Sequence, residues 1–393
     1  MSLLLAAFLL QAAPPEAEWK AGLASAVITP EGPLPMAGYA ARKEPAEGKE
    51  QDLFAKCLAL EDREGNRAVV LTMDLIGVRD TLRAAVLERV SEKHKVPPRA
   101  LLMNASHTHC GPDYGREEAK PYAEGLVRTL ADLVDRAVAG LAPARLSYAH
   151  ARCGFAMNRR TPFENGYRNH PNPEGVVDHD VPVLRVAAPD GKLRGVLFGY
   201  ACHNTTMGFR RWLGDYAGYA QEYFEQDHPG ATALFLTGCG GDQNPYPRSQ
   251  LPYAQKHGRS LATAVEAALQ TRPRDVRGPL RSVLETVDLE FSTPDRPPFP
   301  YPVQVLRFGR DLEIVALGSE VVVDYSLRLK RELGSPDGPA VWVAGYSNVY
   351  SGYIPSKRVL LEGGYEAQSR PWKDTLEERI VGKVHELHRR LNP

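Results

Sequence analysis

Strand-like apolar runs alternate with helix-patterned segments through the first two thirds of this chain, and several of the runs break off into short polar turns carrying a histidine or a glutamate. That alternation argues for α/β layering. Residues 66–75 are rich in β-branched side chains, and Asp80 then caps a helical pattern that runs to about Lys95. Residues 99–104 read as the next strand, after which residues 115–141 place Leu126, Leu130, Leu133, Val134 and Val138 at helical spacing. The strand, helix, strand unit predicts an α/β fold with a central mixed, largely parallel sheet flanked by helices. Further strands are expected at 145–148, 181–186, 195–201 and 232–236, with helices at 218–226 and 249–269. From Pro279 onward the pattern becomes more β-rich, with strands at 280–291, 302–308, 312–317 and 340–344, a helix at 320–333 and a last one at 372–391.

A Pro-rich connector at 294–302 is too short to separate autonomous domains, so residues 18–393 read as a single domain. Residues 1–13 hold an apolar run and then Gln11-Ala12-Ala13, the pattern of a secretory signal peptide, which predicts a secreted or periplasmic protein. The run is too short for a transmembrane segment. Lys+Arg and Asp+Glu both number 48, leaving no net field to attract nucleic acid. The five cysteines show no CxxC pair and read as small fillers. The sequence assigns no oligomeric state.

The polar turns carry the chemistry. Ala105-Ser106-His107-Thr108-His109-Cys110-Gly111-Pro112 sets two imidazoles two residues apart at a strand end, where an extended backbone points both to one face. That suits a metal ion, and loop hydrogen bonding would satisfy the pair equally well. Tyr200-Ala201-Cys202-His203 repeats the logic, and two such ends can converge on one ion. Ile314-Val315-Ala316-Leu317-Gly318-Ser319-Glu320 ends in a carboxylate, with Gly318 permitting a turn that aims Glu320 inward at the start of a helix. A helix N-terminal glutamate stabilised by the dipole is the alternative. The turn Gly238-Cys239-Gly240-Gly241-Asp242-Gln243-Asn244-Pro245 could offer backbone N–H groups to an oxyanion. Asp74 and Asp242 are placed to orient the imidazoles. The Tyr-rich and Gly-rich stretch from Gly345 to Tyr353 suits a polar pocket, and His385 and His388 read as solvent-facing.

In this order the motifs resemble the catalytic domain of the neutral/alkaline, non-lysosomal ceramidase family, zinc amidases that cleave the N-acyl bond of ceramide. The resemblance spans roughly residues 22–368, through Ile28-Thr29-Pro30, Met36-Ala37-Gly38-Tyr39, Ser106-His107-Thr108-His109, Asn158-Arg159, Cys202-His203, the stretch from Gly214 to Tyr219, the glycine-rich turn, Gly318-Ser319-Glu320, Gly345 to Tyr353, and Tyr365-Glu366. It implies zinc (Zn2+) held by His107, His203, Glu320 and the phenolic oxygen of Tyr353, with His109, Arg159 and Tyr365 on the substrate side. It also implies hydrolysis of a lipid-like or small-molecule amide by metal-activated water, with His109 as proton shuttle and Tyr365 or the Gly240-Gly241 turn stabilising the oxyanion. One departure matters: Asn244 stands where the family carries a serine. An amide side chain cannot form an acyl-enzyme, although it can donate a hydrogen bond. The family's C-terminal immunoglobulin-like domain has no expected counterpart, since only a terminal helix follows the last motif. A zinc-dependent ester or acyl-sugar hydrolase, and a non-catalytic homologue that kept the pocket for binding, are the competing readings.

Overall fold

The structure, a computed structural model, describes residues 18–392, so the expected leader lies outside the described residues. Nine strands form one sheet, in the order Thr232–Thr237, Leu193–Tyr200, Asp180–Ala187, Ala142–Arg152, Trp19–Val27, Phe54–Asp62, Arg67–Met73 and Leu101–Ala105, with Arg274–Val276 pairing off this path. The expected mixed sheet flanked by helices is present, but parallel pairing does not prevail in it. Only its two ends are parallel, Arg67–Met73 with Leu101–Ala105 and Leu193–Tyr200 with Thr232–Thr237. Every pairing between them is antiparallel. A parallel pair needs a crossover, and helices Asp80–His94 and Asp215–Asp227 supply crossovers at those two places alone.

The strands read as continuous apolar runs because both faces are covered. Ala55, Cys57, Val69, Leu71, Leu101 and Met103 pack on helices Asp80–His94 and Lys120–Ala139 through Val86, Val90, Leu130 and Val134. The intervening Leu58, Leu60, Val70 and Leu102 meet Leu306, Phe308, Ile314 and Trp342 of a second sheet. That sheet has the order Leu280–Leu289, Phe299–Phe308, Leu312–Leu317, Ala340–Ala344, the β-rich C-terminal part. Helices Val323–Leu333 and Leu376–Leu391 cover its other face. On the latter, His385 and His388 do not simply face solvent: His385 bonds Glu332 at 2.8 Å, and His388 bonds the fully buried Glu313 at 2.9 Å, which also holds Arg307. Glu332 on the neighbouring helix and Glu313 on the strand beneath supply these partners. No helix among the described residues is long and apolar enough to cross a membrane.

The large sheet coils until its edge strands meet. Thr237 donates its N–H to Asn104 Oδ1 at 2.9 Å and its hydroxyl to Ala105 O at 2.8 Å, and Asn104 Nδ2 donates to Gly345 O at 2.7 Å. Asn104 is fully buried, and both its side-chain oxygen and its side-chain nitrogen are bonded. This clamp holds the ends of Leu101–Ala105, Thr232–Thr237 and Ala340–Ala344 together, and with them the loops that follow.

Candidate metal centre

His107 follows the strand Leu101–Ala105, whose last residue is Ala105, so the two-residue periodicity of an extended chain does not reach it. Its backbone is instead left-handed (φ 60°), which costs a non-glycine residue about 1–3 kcal/mol. The N–H is donated to Leu75 O at 3.0 Å, and the ring turns inward until its Nε2 lies 3.2 Å from His109 Nε2. His107 Nδ1 meets Ile76 O at 2.6 Å, and His203 Nδ1 meets Gly240 O at 2.6 Å. A carbonyl only accepts, so each Nδ1 carries the proton and each Nε2 presents a lone pair. Burial, helped by Arg159, pushes His203 down to about 3, and burial followed by His107 holds His109 well below the usual imidazole range. Both rings are neutral at pH 7.

Glu320 Oε2 lies 3.3 Å from His107 Nε2 and 3.2 Å from His203 Nε2, and the Tyr353 hydroxyl lies 3.3 Å from His203 Nε2. The two oxygen donors are neighbours for a backbone reason: Glu320–Val321 and Tyr353–Ile354 form a short parallel ladder in which Glu320 is the register partner of Tyr353. The sharp turn before Glu320 is made by Ser319 (φ 67°) rather than Gly318. Gly318 is required for space, since a Cβ there would sit 2.4 Å from Val349 Cγ1. The helix starts only at Val323, so a helix-terminal role for Glu320 falls away.

Glu320 Oε2 is buried and has no hydrogen-bond partner. An orphaned carboxylate oxygen between two imidazole lone pairs is costly unless a cation joins it. The donor set of neutral imidazoles, a carboxylate and a phenol suits a zinc-like divalent ion. His109 belongs to the same cluster, with the ligating nitrogens of the three buried histidines all within 4.8 Å of one another. The residues present therefore fit a metal.

The profile of the family described as "Neutral/alkaline non-lysosomal ceramidase, N-terminal" matches residues 19–238, more than half of the chain. The chain belongs to this family. Neutral ceramidase A of Dictyostelium discoideum is 24% identical over 227 residues, 52% of this chain and 31% of that protein, so the match spans about a third of the relative's length. The crystal structure of neutral ceramidase from Pseudomonas aeruginosa superposes with a TM-score of 0.80 at 20% identity, covering 96% of this chain and 75% of that one. A ceramidase complexed with C2 gives 0.78 at 18% identity, covering 94% and 76%. At these identities the likeness carries the fold.

Around the centre of this ceramidase-family chain, the other expected residues fall into place unequally. Arg159, 4% exposed, donates to the Tyr353 hydroxyl at 2.9 Å, to Asn244 Oδ1 at 3.1 Å and to Glu366 at 2.8 Å. Tyr365 stands at the rim, 54% exposed, its ring 5.3 Å from that of Tyr353 and 5.6 Å from the Arg159 guanidinium. His109 packs against Tyr39 and against Gly38, where a Cβ would lie 2.4 Å from the ring, and its Nδ1 is unpartnered.

Three expectations are corrected. The N–H groups of Gly240 and Gly241 are spent on Gly238 O and Val321 O, both at 2.9 Å, so this turn offers no oxyanion hole. Its glycines allow close approach: a Cβ on Gly240 would meet Cys202 N at 2.6 Å, and one on Gly241 would meet Glu320 O at 2.7 Å. Asp74 and Asp242 do not orient the imidazoles, because backbone carbonyls occupy both Nδ1 positions. Asp74 accepts from Phe54 N–H, and Asp242 accepts from Val323 N–H at the start of the following helix.

Sequence reasoning gave no role to Glu366, which bridges Arg159 and Arg160, or to Tyr350, whose hydroxyl donates to Glu320 Oε1 at 3.1 Å. It also missed the hairpin Ala156–Phe163 and Gly166–Asn172, which pairs with Gln243–Pro245 and so brings Arg159 beside Asn244. The tight Glu164-Asn165-Gly166 turn was the available signal.

Proposed function

We propose that this chain is an exported, zinc-dependent amidohydrolase that cleaves the N-acyl bond of a lipid-like amide, and that residues 18–393 form one ceramidase-like catalytic domain. The observation that carries the reading is the pair of imidazoles fixed through Nδ1 by Ile76 O and Gly240 O, with the orphaned Glu320 Oε2 between their lone pairs. His107, His203, Glu320 and Tyr353 would hold the metal. Bound zinc supplies Lewis acidity toward an acyl carbonyl and toward water.

The rest falls to the chain's own groups. His109 differs from the other two histidines in having no carbonyl on Nδ1, so its proton can reside on either nitrogen, which suits transfer to a leaving amine. Arg159 fixes Tyr353 and, by holding Asn244 Oδ1, leaves the Asn244 Nδ2 donors for a substrate oxygen. One such donor at a developing oxyanion contributes about 3 kcal/mol. With no nucleophilic hydroxyl at position 244, water attacks directly and no acyl-enzyme forms there. Tyr365 lines the mouth, where an amphipathic ring suits a lipid-like substrate.

The test is turnover of N-acyl and O-acyl lipid substrates by the purified protein, with and without a chelator, alongside its metal content. Chelator-sensitive amide hydrolysis with bound zinc is expected. Turnover of esters alone would move the assignment to an esterase, and no turnover of either would leave a binding protein. His203→Ala should lose both zinc and activity, so a fully active variant would remove the metal assignment.

A further inference from the structure

Resting on the metal reading above, we infer that Tyr350 is a positioning residue that makes Glu320 a one-oxygen ligand. A carboxylate next to a divalent ion can bind through one oxygen or two, and zinc accepts both by changing its coordination number. Here the two oxygens are already distinguished. Oε1 accepts the Tyr350 hydroxyl at 3.1 Å, whereas Oε2 faces His107 Nε2 and His203 Nε2 at 3.3 and 3.2 Å and accepts nothing. A donor on one oxygen reserves it and leaves the other for the ion, the role outer hydrogen bonds commonly play in metal sites.

The position of Tyr350 is itself fixed by the segment that fixes the first imidazole. Its ring lies over Gly77, where a Cβ would come within 2.4 Å of Tyr350 Cγ. The preceding residue, Ile76, holds His107 Nδ1 through its carbonyl, and Gly77 O accepts the buried Tyr114 hydroxyl at 2.7 Å. Ile76-Gly77 therefore serves as a common reference: through Ile76 it sets one ring, and through the space at Gly77 it sets the phenol that orients the carboxylate. The Tyr350 ring lies 6.1 Å from the His107 ring, so both run back to this segment along short paths.

Tyr350→Phe keeps the ring over Gly77 and removes only the donor. Metal-free wild type and Y350F are titrated with Zn2+ against a chromophoric chelator, and both are loaded with Co2+ for visible absorption. The variant should bind Zn2+ about 10-fold to 100-fold more weakly. Its Co2+ absorption should weaken as a second carboxylate oxygen raises the coordination number, while the thermal midpoint of the metal-free protein stays put. Equal Zn2+ affinities with superimposable Co2+ spectra would overturn the role of Tyr350 and leave the metal reading standing. A wild-type protein that binds no Zn2+ would overturn both.

Discussion

Arg159 Nη2 donates to the Tyr353 hydroxyl at 2.9 Å while its Nε holds Glu366 at 2.8 Å, so one guanidinium ties a phenol of the centre to a carboxylate on a separate short helix. The third arm reaches Asn244 at 3.1 Å, and Arg160 takes the other Glu366 oxygen at 2.6 Å. A flexible ammonium cannot hold three acceptors in this planar arrangement. Arg159→Lys should lower kcat/KM by about 100-fold, equivalent to about 2.7 kcal/mol, with the far-ultraviolet circular dichroism unchanged. Activity within threefold of wild type would mean that the fork does not position Tyr353 and Asn244 for catalysis.

The glycine-rich turn makes a different kind of prediction. Gly240 leaves no room for a side chain, with Cys202 N 2.6 Å from a built Cβ, and its carbonyl holds His203 Nδ1. Gly240→Ala should destabilise the protein by about 1–3 kcal/mol through overpacking and lower its zinc content by displacing His203. Gly32, with nothing within 4 Å of a built Cβ, is the control, and Gly32→Ala should change little. Urea denaturation and metal analysis of the two variants check this, and equal behaviour would refute the packing role.

What could be read from the sequence was local. The strands ending near His107 and His203 announce themselves because an apolar run followed by a polar turn is a property of consecutive residues. Which strands pair is not local, and the antiparallel middle of the sheet was accordingly hidden. The ladder that sets Glu320 beside Tyr353 joins residues 33 positions apart and is two residues long on each side, too short for any periodicity. Arg159 and Arg160 look like surface residues in Asn158-Arg159-Arg160-Thr161. Their burial makes sense only with Glu366, which lies 207 and 206 residues away. The glycines of the 238–241 turn suggested an anion nest, because the neighbours that require them, Cys202 and Glu320, belong to other loops.

Asn244 tests whether hydrolysis passes through a covalent intermediate. Its Oδ1 is committed to Arg159, so its amide hydrogens are what it can offer a substrate. Asn244→Ala should reduce kcat by about 100-fold with little change in KM, as for loss of an oxyanion donor. Rapid mixing of the wild type with excess substrate should show no burst of released amine before the steady state. A burst matching the enzyme concentration would point to a rapidly formed acyl-enzyme and overturn direct attack by water.

The buried Asp242 makes stability depend on pH in a calculable direction. Burial, reinforced by the nearby Asp324, pushes its carboxyl up to about 7 from the ordinary 3.8. The folded protein then holds a proton that the unfolded chain has released throughout that interval. Stability from this group is complete below about pH 4, declines as pH rises, and is lost above about pH 7. The full span is on the order of 4 kcal/mol. Asp242→Asn stays neutral throughout and keeps an oxygen that can accept the Val323 N–H. Metal-free wild type and variant, unfolded in urea at several pH values across this window, should therefore diverge, with the variant gaining relative to wild type as pH rises. Parallel curves would show that Asp242 is ionised in the folded protein, held by Val323 N–H, Asn158 and the Arg358 guanidinium 3.9 Å away.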